Sequence, residues 1–150
     1  MLLSCKKRAA ESISGQPGTF ASLMDLYERN YMLIRRLAPE LPGAGVTQDS
    51  SAATGLPLHL EVLDRYAYTS DIVLTYQFQR PRGYASEPNL QVRIYHDARV
   101  AEVMSAQLRH WPVFTHDEGD VRDLYRRWKV NRFLFKWLSY CLHQGHRFRD

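Results

Sequence analysis

Between residues 58 and 107 apolar side chains recur with a period of two in successive runs, and the segments joining the runs are short. Leu58, Leu60 and Val62 alternate with His59 and Glu61, and Ile72, Leu74, Tyr76 and Phe78 alternate with Val73, Thr75 and Gln77. Leu90, Val92 and Ile94 then alternate with Gln91, Arg93 and Tyr95, and Val100 to Gln107 forms a fourth run. Side chains of a strand point alternately to its two faces, so this period predicts strands with one buried face. Turns are expected near Thr69-Ser70-Asp71 and Asp97-Ala98-Arg99, and a break at Arg80-Pro81-Arg82-Gly83 followed by a loop to Pro88 that carries Tyr84 and Glu87. Parallel neighbours need crossovers of roughly a dozen residues or more, which these connections do not supply. A four-stranded antiparallel meander follows.

Helical patterns flank it. From Thr19, a favourable N-cap, Phe20, Leu23, Met24, Tyr27, Tyr31, Ile34 and Leu37 recur at three- and four-residue steps, with Arg35 and Arg36 in the last turn where the helix dipole favours cations. Pro39 predicts a stop near Ala38. At the other end, Asp120 is the expected cap of a long helix running to Gly145, with Phe133, Leu134, Trp137, Leu138 and Cys141 in one stripe from Val130 onward. Val121, Leu124, Tyr125 and Trp128 project to a different side at 100° per residue. Either the helix breaks near Lys129 or it has two apolar surfaces, and the second must then meet another element or a second copy of the chain, giving a homodimer through the C-terminal helix. Residues 1–18 read as a flexible tail and Leu41 to Gly55 as a mobile loop. The expected architecture is α+β: a single domain over residues 19–150, with the meander between an N-terminal and a long C-terminal helix.

Charge narrows the partners. The net charge of +4 comes from 20 basic and 16 acidic residues, with the excess at the two ends, so the basicity is diluted. Nucleic-acid affinity rests on neutralising several phosphates together, and this distribution argues against it as the main activity. The N-terminus lacks the apolar region of a secretory signal, and no run of about 18 apolar residues is present for a spanning helix. Cys5 and Cys141 lie at opposite ends with no zinc spacing. The expectation is a cytoplasmic protein with no membrane span, no metal and no cofactor.

Three groups of residues carry possible chemistry. His96-Asp97, with Glu102 on the next strand, offers an imidazole and carboxylates for general-base work, although neighbouring residues on a strand face opposite ways. Arg93, Tyr95 and Asp97 share one side of the sheet and present a cation, a phenol and a carboxylate as a polar binding surface, or else form an ordinary solvated face. Tyr125, Arg126, Arg127, Trp128, Lys129 and Arg132 interleave aromatic and basic groups, suited to an acidic partner or to bases, unless the aromatics simply pack. His110, His116, His143 and His146 have no regular ligand spacing. No nucleophile elbow, Walker loop, dinucleotide fingerprint or Cys-x-x-Cys pair occurs.

The stretch Val92-Arg93-Ile94-Tyr95-His96-Asp97-Ala98, continued by Val100-Ala101-Glu102-Val103 and Gln107, resembles the YqiB-like family of uncharacterised proteobacterial proteins. So do Asn131-Arg132-Phe133-Leu134, Trp137-Leu138, Tyr140-Cys141-Leu142 and Gly145, together with Leu33-Ile34-Arg35-Arg36-Leu37. The resemblance spans about residues 20–145 and implies a bacterial cytosolic protein. It also implies a nucleotide-metabolism setting, because members are often encoded near a cyclic-nucleotide phosphodiesterase and a nucleotide-sugar hydrolase. It brings no activity to assign to residues. The expected function is therefore a non-enzymatic binding or regulatory module for a protein or a small acidic ligand, through Arg93, Tyr95 and Asp97 or through Trp128 and Arg132. The alternatives are a small hydrolase using His96 with Asp97 or Glu102, and an RNA-binding module.

Overall fold

The computed structural model of the chain describes residues 18–52, 55–80, 83–108, 112–116 and 123–149, with backbone alone for 77–80 and 83–87. Helix α1 covers Phe20–Leu37, and the Ser22 amide donates to Thr19 Oγ1 at 3.2 Å, as expected of an N-cap. Its buried stripe is Leu23, Leu26, Tyr27, Ile34 and Leu37, while Phe20 is left exposed. Six strands follow: β1 Thr47–Ser50, β2 Leu58–Arg65, β3 Thr69–Arg80, β4 Gly83–Tyr95, β5 Val100–Gln107 and β6 Phe114–Thr115. They form one sheet in the order β1-β2-β3-β4-β5-β6, every neighbouring pair antiparallel. Helix α2, Leu124–His143, closes the domain.

The meander is thus confirmed in kind and corrected in number, from four strands to six. Strand β1 lies inside the segment expected to be a mobile loop, with the Gly45 amide donating to Val62 O and the Val62 amide to Val46 O just before it. Thr47-Gln48-Asp49-Ser50 carries no apolar side chain, so there was no period to read; pairing with β2, and the contacts of the chain's last residues with Ser50, order it. Strand β6 has two residues, too few to show any period. Two connections also move. The β2–β3 turn falls at Tyr66 to Tyr68, where the Tyr66 amide donates to Thr69 O at 2.7 Å, and Thr69 to Asp71 already belong to β3. Gly83 to Pro88, expected to be a loop, continue β4 against β3, with Gly83 paired to Arg80.

Alternation along β2 to β5 puts Leu58, Leu60, Val62, Ile72, Leu74, Leu90, Val92, Ile94, Ala101 and Val103 into one buried cluster with Ile34 and Leu37 of α1 and Val130, Leu134, Trp137, Leu138 and Cys141 of α2. Truncating one of these leucines to alanine leaves a cavity worth about 2–5 kcal/mol. Helix α2 is continuous through Lys129, which settles that alternative. It stops at Gly145, whose φ is 94°, with the Gly145 amide donating to Leu142 O and the His146 amide to Cys141 O. That pair of bonds is a Schellman closure, which needs a residue free to adopt positive φ. The expected cap Asp120 and the apolar Val121 lie outside the described residues, as do the expected tail before Gly18 and His110.

Asn131 fixes the helices on the sheet. The Val103 amide of β5 donates to Asn131 Oδ1 of α2 at 3.0 Å. The Asn131 carbonyl in turn accepts from Asn30 Nδ2 of α1 at 3.1 Å, so one buried residue joins β5, α1 and α2. Beyond α2 the chain returns to the start of the domain. The Phe148 amide donates to Leu37 O at 2.8 Å, the Arg147 amide donates to Ser50 Oγ at 2.9 Å, and His146 Nδ1 lies 3.1 Å from the same hydroxyl.

Candidate functional site

The end of α1, the segment after it and the ends of β2 and β4 enclose a cleft of about 320 Å³ lined by Tyr31, Arg35, Glu40, Arg65 and His96, with Ile34 and Ile94 among its apolar walls. Each polar group is there for a local reason. Arg35 occupies the last turn of α1, where the dipole favours a cation. Pro39 and Pro42 keep the next residues out of helix, so their carbonyls stay available. Arg35 Nη1 donates to Pro39 O at 3.1 Å, and Arg65 Nη1 donates to Leu41 O at 2.6 Å and Pro42 O at 3.1 Å. A guanidinium has five N–H donors, so each arginine is held in place by backbone while most of its donors stay uncommitted among the described residues.

His96 follows β4 on the side of Ile94, and its amide donates to Tyr68 O at 2.8 Å. Its Nε2 lies 2.8 Å from the hydroxyl of Ser70, which is fully buried. Burial, and then the nearby charges of Arg65 and Arg35, push the His96 pKa below its ordinary value, with Asp97 opposing weakly. The imidazole is therefore neutral at neutral pH, leaving one nitrogen beyond the Ser70 contact. Tyr66 and Tyr68, in the turn between Arg65 and Ser70, are both about two-thirds exposed, at 63% and 66%. The cleft thus sets two guanidiniums against one carboxylate, Glu40, with a neutral imidazole on the wall and exposed phenols close by in the chain.

The other expected groups are arranged differently. Asp71, Arg93 and Glu102 sit directly opposite one another across β3, β4 and β5. Arg93 Nε donates to Asp71 Oδ1 at 2.9 Å. Tyr95 donates its hydroxyl proton to Glu102 Oε1 at 2.7 Å, and Glu102 Oε2 is 3.4 Å from His116 Nε2. Tyr27 of α1 also bonds Glu102, and burial followed by that carboxylate raises its pKa. The same two causes push Tyr95 up to about 12. Asp97 stands exposed in the β4–β5 turn. Arg93 and Tyr95 are thus brought together with Asp71 and Glu102 rather than with Asp97, and His96 is paired with Ser70 rather than with either carboxylate. Among the described residues no cluster of three or more His, Cys, Asp or Glu side chains could hold a metal ion, and no helix is long and apolar enough to cross a membrane.

On α2 the basic and aromatic residues form a stack. The Tyr125 and Trp128 rings lie 5.9 Å apart at 23°, Arg132 sits over Trp128 at 5.3 Å and Lys129 over Tyr125 at 5.7 Å. Of the aromatics named for that patch, Tyr125 is exposed, at 55%, and Trp128 is half-buried, and neither belongs to the buried core. His143 and His146, three apart in sequence, separate: His143 is exposed and His146 buried.

Sequence reasoning missed Arg35, Arg65, Ser70 and Tyr31 as parts of one site. Each had an adequate local explanation, as helix cation, strand end, turn residue and helix stripe. The antiparallel return of β3 and β4 brings Arg65 and Ser70 to His96, and the end of α1 adds Tyr31 and Arg35.

A family model described as "Protein of unknown function (DUF1249)" matches residues 33–147, which takes in every polar residue of the cleft except Tyr31. The chain is also 33% identical over 128 residues to "Uncharacterized protein YqiB" of Escherichia coli K12, covering 84% of this chain and 90% of that protein. The proteins of the same name in the E. coli strains CFT073 and O157:H7 match to the same extent. No solved structure matches. With most of its length matched by the family model and by these relatives, the chain belongs to the DUF1249 family, as its Tyr-His-Asp-Ala segment led us to expect.

Proposed function

We propose that this protein is a binding module for a small acidic ligand, held in the cleft between Arg35, Arg65 and His96. The observation that carries the reading is the tethering of both guanidiniums to backbone carbonyls. A carbonyl positions an arginine without cancelling its charge, and a preset pair of such groups suits bidentate capture of a carboxylate or phosphate. The neutral His96 adds a hydrogen-bonding group, and the exposed Tyr66 and Tyr68 offer apolar faces to whatever extends from the acidic end. A cytoplasmic setting agrees with the free, buried thiol of Cys141.

A hydrolytic reading has one specific support, the 2.8 Å approach of Ser70 Oγ to His96 Nε2, which is within nucleophile–base distance. Full burial of Ser70 favours a positioning role, in which the hydroxyl fixes the imidazole for the ligand.

The test is a thermal-shift series with inorganic phosphate, citrate and small phosphorylated and dicarboxylic metabolites on the wild type, Arg65→Ala and His96→Ala. A ligand at about a hundred times its Kd adds roughly 2.7 kcal/mol, a rise of about 5–10 °C for a domain of this size. At least one anion should give such a rise in the wild type, and Arg65→Ala should abolish it. A response unchanged in Arg65→Ala, or no response to any of the anions, rejects the cleft as an anion site. Covalent labelling of Ser70 by a fluorophosphonate, lost in His96→Ala, would replace binding with hydrolysis.

A further inference from the structure

We infer that the outer face of α2 is a docking surface for an acidic, helical protein segment, independent of the cleft. The helix runs from Leu124 to His143 and contains Arg126, Arg127, Lys129, Arg132 and Lys136 without a single aspartate or glutamate. Arg126 is paired with Asp123 just ahead of the helix. Tyr125, Lys129, Arg132 and Lys136 follow one another at steps of three and four, so they lie in one line along the helix, and all four are exposed. Between Tyr125 and Lys136 this line borders a shallow groove that also includes Trp128 and Phe133.

An exposed helix that has only itself to stabilise normally alternates charges, because opposite charges three or four residues apart attract and like charges repel. Here Arg132 and Lys136 are like charges one turn apart, and neither forms an ion pair among the described residues. That repulsion is left standing on an exposed line of the helix, which is what a surface complementary to carboxylates requires. A second copy of the same helix would bring cation to cation, so the line does not suit a dimer.

The aromatic stack decides between an acidic protein and a nucleic acid. Single-stranded nucleic acid is held by bases stacking on open aromatic faces. Trp128 has Tyr125 from the preceding turn against it and Arg132 from the following turn over it, and Tyr125 has Lys129 over its ring. Stacked in this way, the rings brace the cations instead of receiving bases. Carboxylates one turn apart on a partner helix would meet Lys129, Arg132 and Lys136, with apolar side chains between them entering the groove at Phe133.

The experiment uses the full chain and three probes: a helical peptide of about four turns with glutamates at three- and four-residue steps beside leucines, a scrambled peptide of the same composition, and single-stranded oligouridylate. The ordered peptide should bind at least ~10-fold more tightly than either other probe, and Lys136→Glu should lower that affinity by ~10-fold or more. Lys136→Glu also sets a carboxylate one turn after Arg132, so its Tm should hold or rise, which separates lost docking from lost folding. Arg65→Ala should bind the peptide as the wild type does. The inference is overturned if the ordered peptide fails to bind, if the scrambled peptide or the oligouridylate binds as tightly, or if Lys136→Glu leaves the affinity unchanged.

Discussion

Arg93 and Arg65 end on neighbouring regions of the same sheet and differ in what holds them. Arg93 is locked to the carboxylate of Asp71, in line with Glu102, which is itself bonded by Tyr27 and Tyr95 and approached by His116. Arg65 is held by the carbonyls of Leu41 and Pro42. In the first region every strong group is satisfied by a side chain of opposite character, so the set stabilises the fold and presents little to a ligand. In the second the hydrogen bonds fix geometry and leave the positive charge in place. The same residue type is thus structural in one region and available in the other, and the difference lies wholly in its partners.

This contrast can be broken where the two regions are most unlike. Glu102→Ala removes the acceptor shared by Tyr27 and Tyr95 and leaves the buried Tyr27 hydroxyl without it, for an expected loss of about 2 kcal/mol in urea unfolding. A loss below about 1 kcal/mol would show that the network is not what holds this face. Asp71→Ala strands Arg93, but that side chain is about a third exposed, at 35%, and water replaces the carboxylate. The cost should be nearer 1 kcal/mol by the same measurement. Arg65→Ala, on an exposed side chain, should change stability by no more than about 0.5 kcal/mol. Equal costs for Asp71→Ala and Arg65→Ala would erase the distinction drawn between the two regions.

The pH dependence sharpens the same comparison. His96 and His146 both titrate below their ordinary value in the folded protein, His96 through burial and the two arginines and His146 through burial first. The unfolded chain therefore binds more protons than the folded one as pH falls through about 6.5, and stability, fully present above that pH, declines below it. His146→Gln should flatten part of this decline in a series of thermal melts. In the cleft the sign reverses for a ligand. An acidic group offsets Arg35 and Arg65, so His96 takes up a proton more readily, and anion affinity should rise as pH falls through the titration of His96. Calorimetric titrations in buffers of different ionisation enthalpy would read that proton uptake. Release of a proton on binding would contradict it.

The elements legible in the sequence were those with a long apolar period. Strands β2 to β5 and both helices carry one, and even the stop at Gly145 was readable, because a glycine after a helical stripe has few other uses. Strand β1 had no apolar residue to mark it. The bond between Asn131 and Val103 joins a helix to a strand 28 positions away, which no period encodes. The candidate cleft was legible in only one residue, His96. Arg35, Arg65 and Ser70 come from separate elements, and hydrogen bonding and register, not sequence neighbours, decide what each one meets. His96 and Asp97 show the converse: they are neighbours in sequence, yet His96 meets Ser70, 26 positions away, and Asp97 stands exposed in the turn.

The junction at Asn131 has a consequence for how the molecule comes into being. Asn30 and Asn131 are 101 positions apart, and Ser50 and His146 are 96 apart. As the chain leaves the ribosome, α1 emerges first and its apolar stripe must wait for β5 and α2, against which it packs. The meander can assemble meanwhile from local hairpins, since loop closure is least costly at short range. The wall that α1 contributes to the cleft, from Tyr31 to Arg35, therefore reaches its place late, and a chain able to hold an anion there is one that has finished folding.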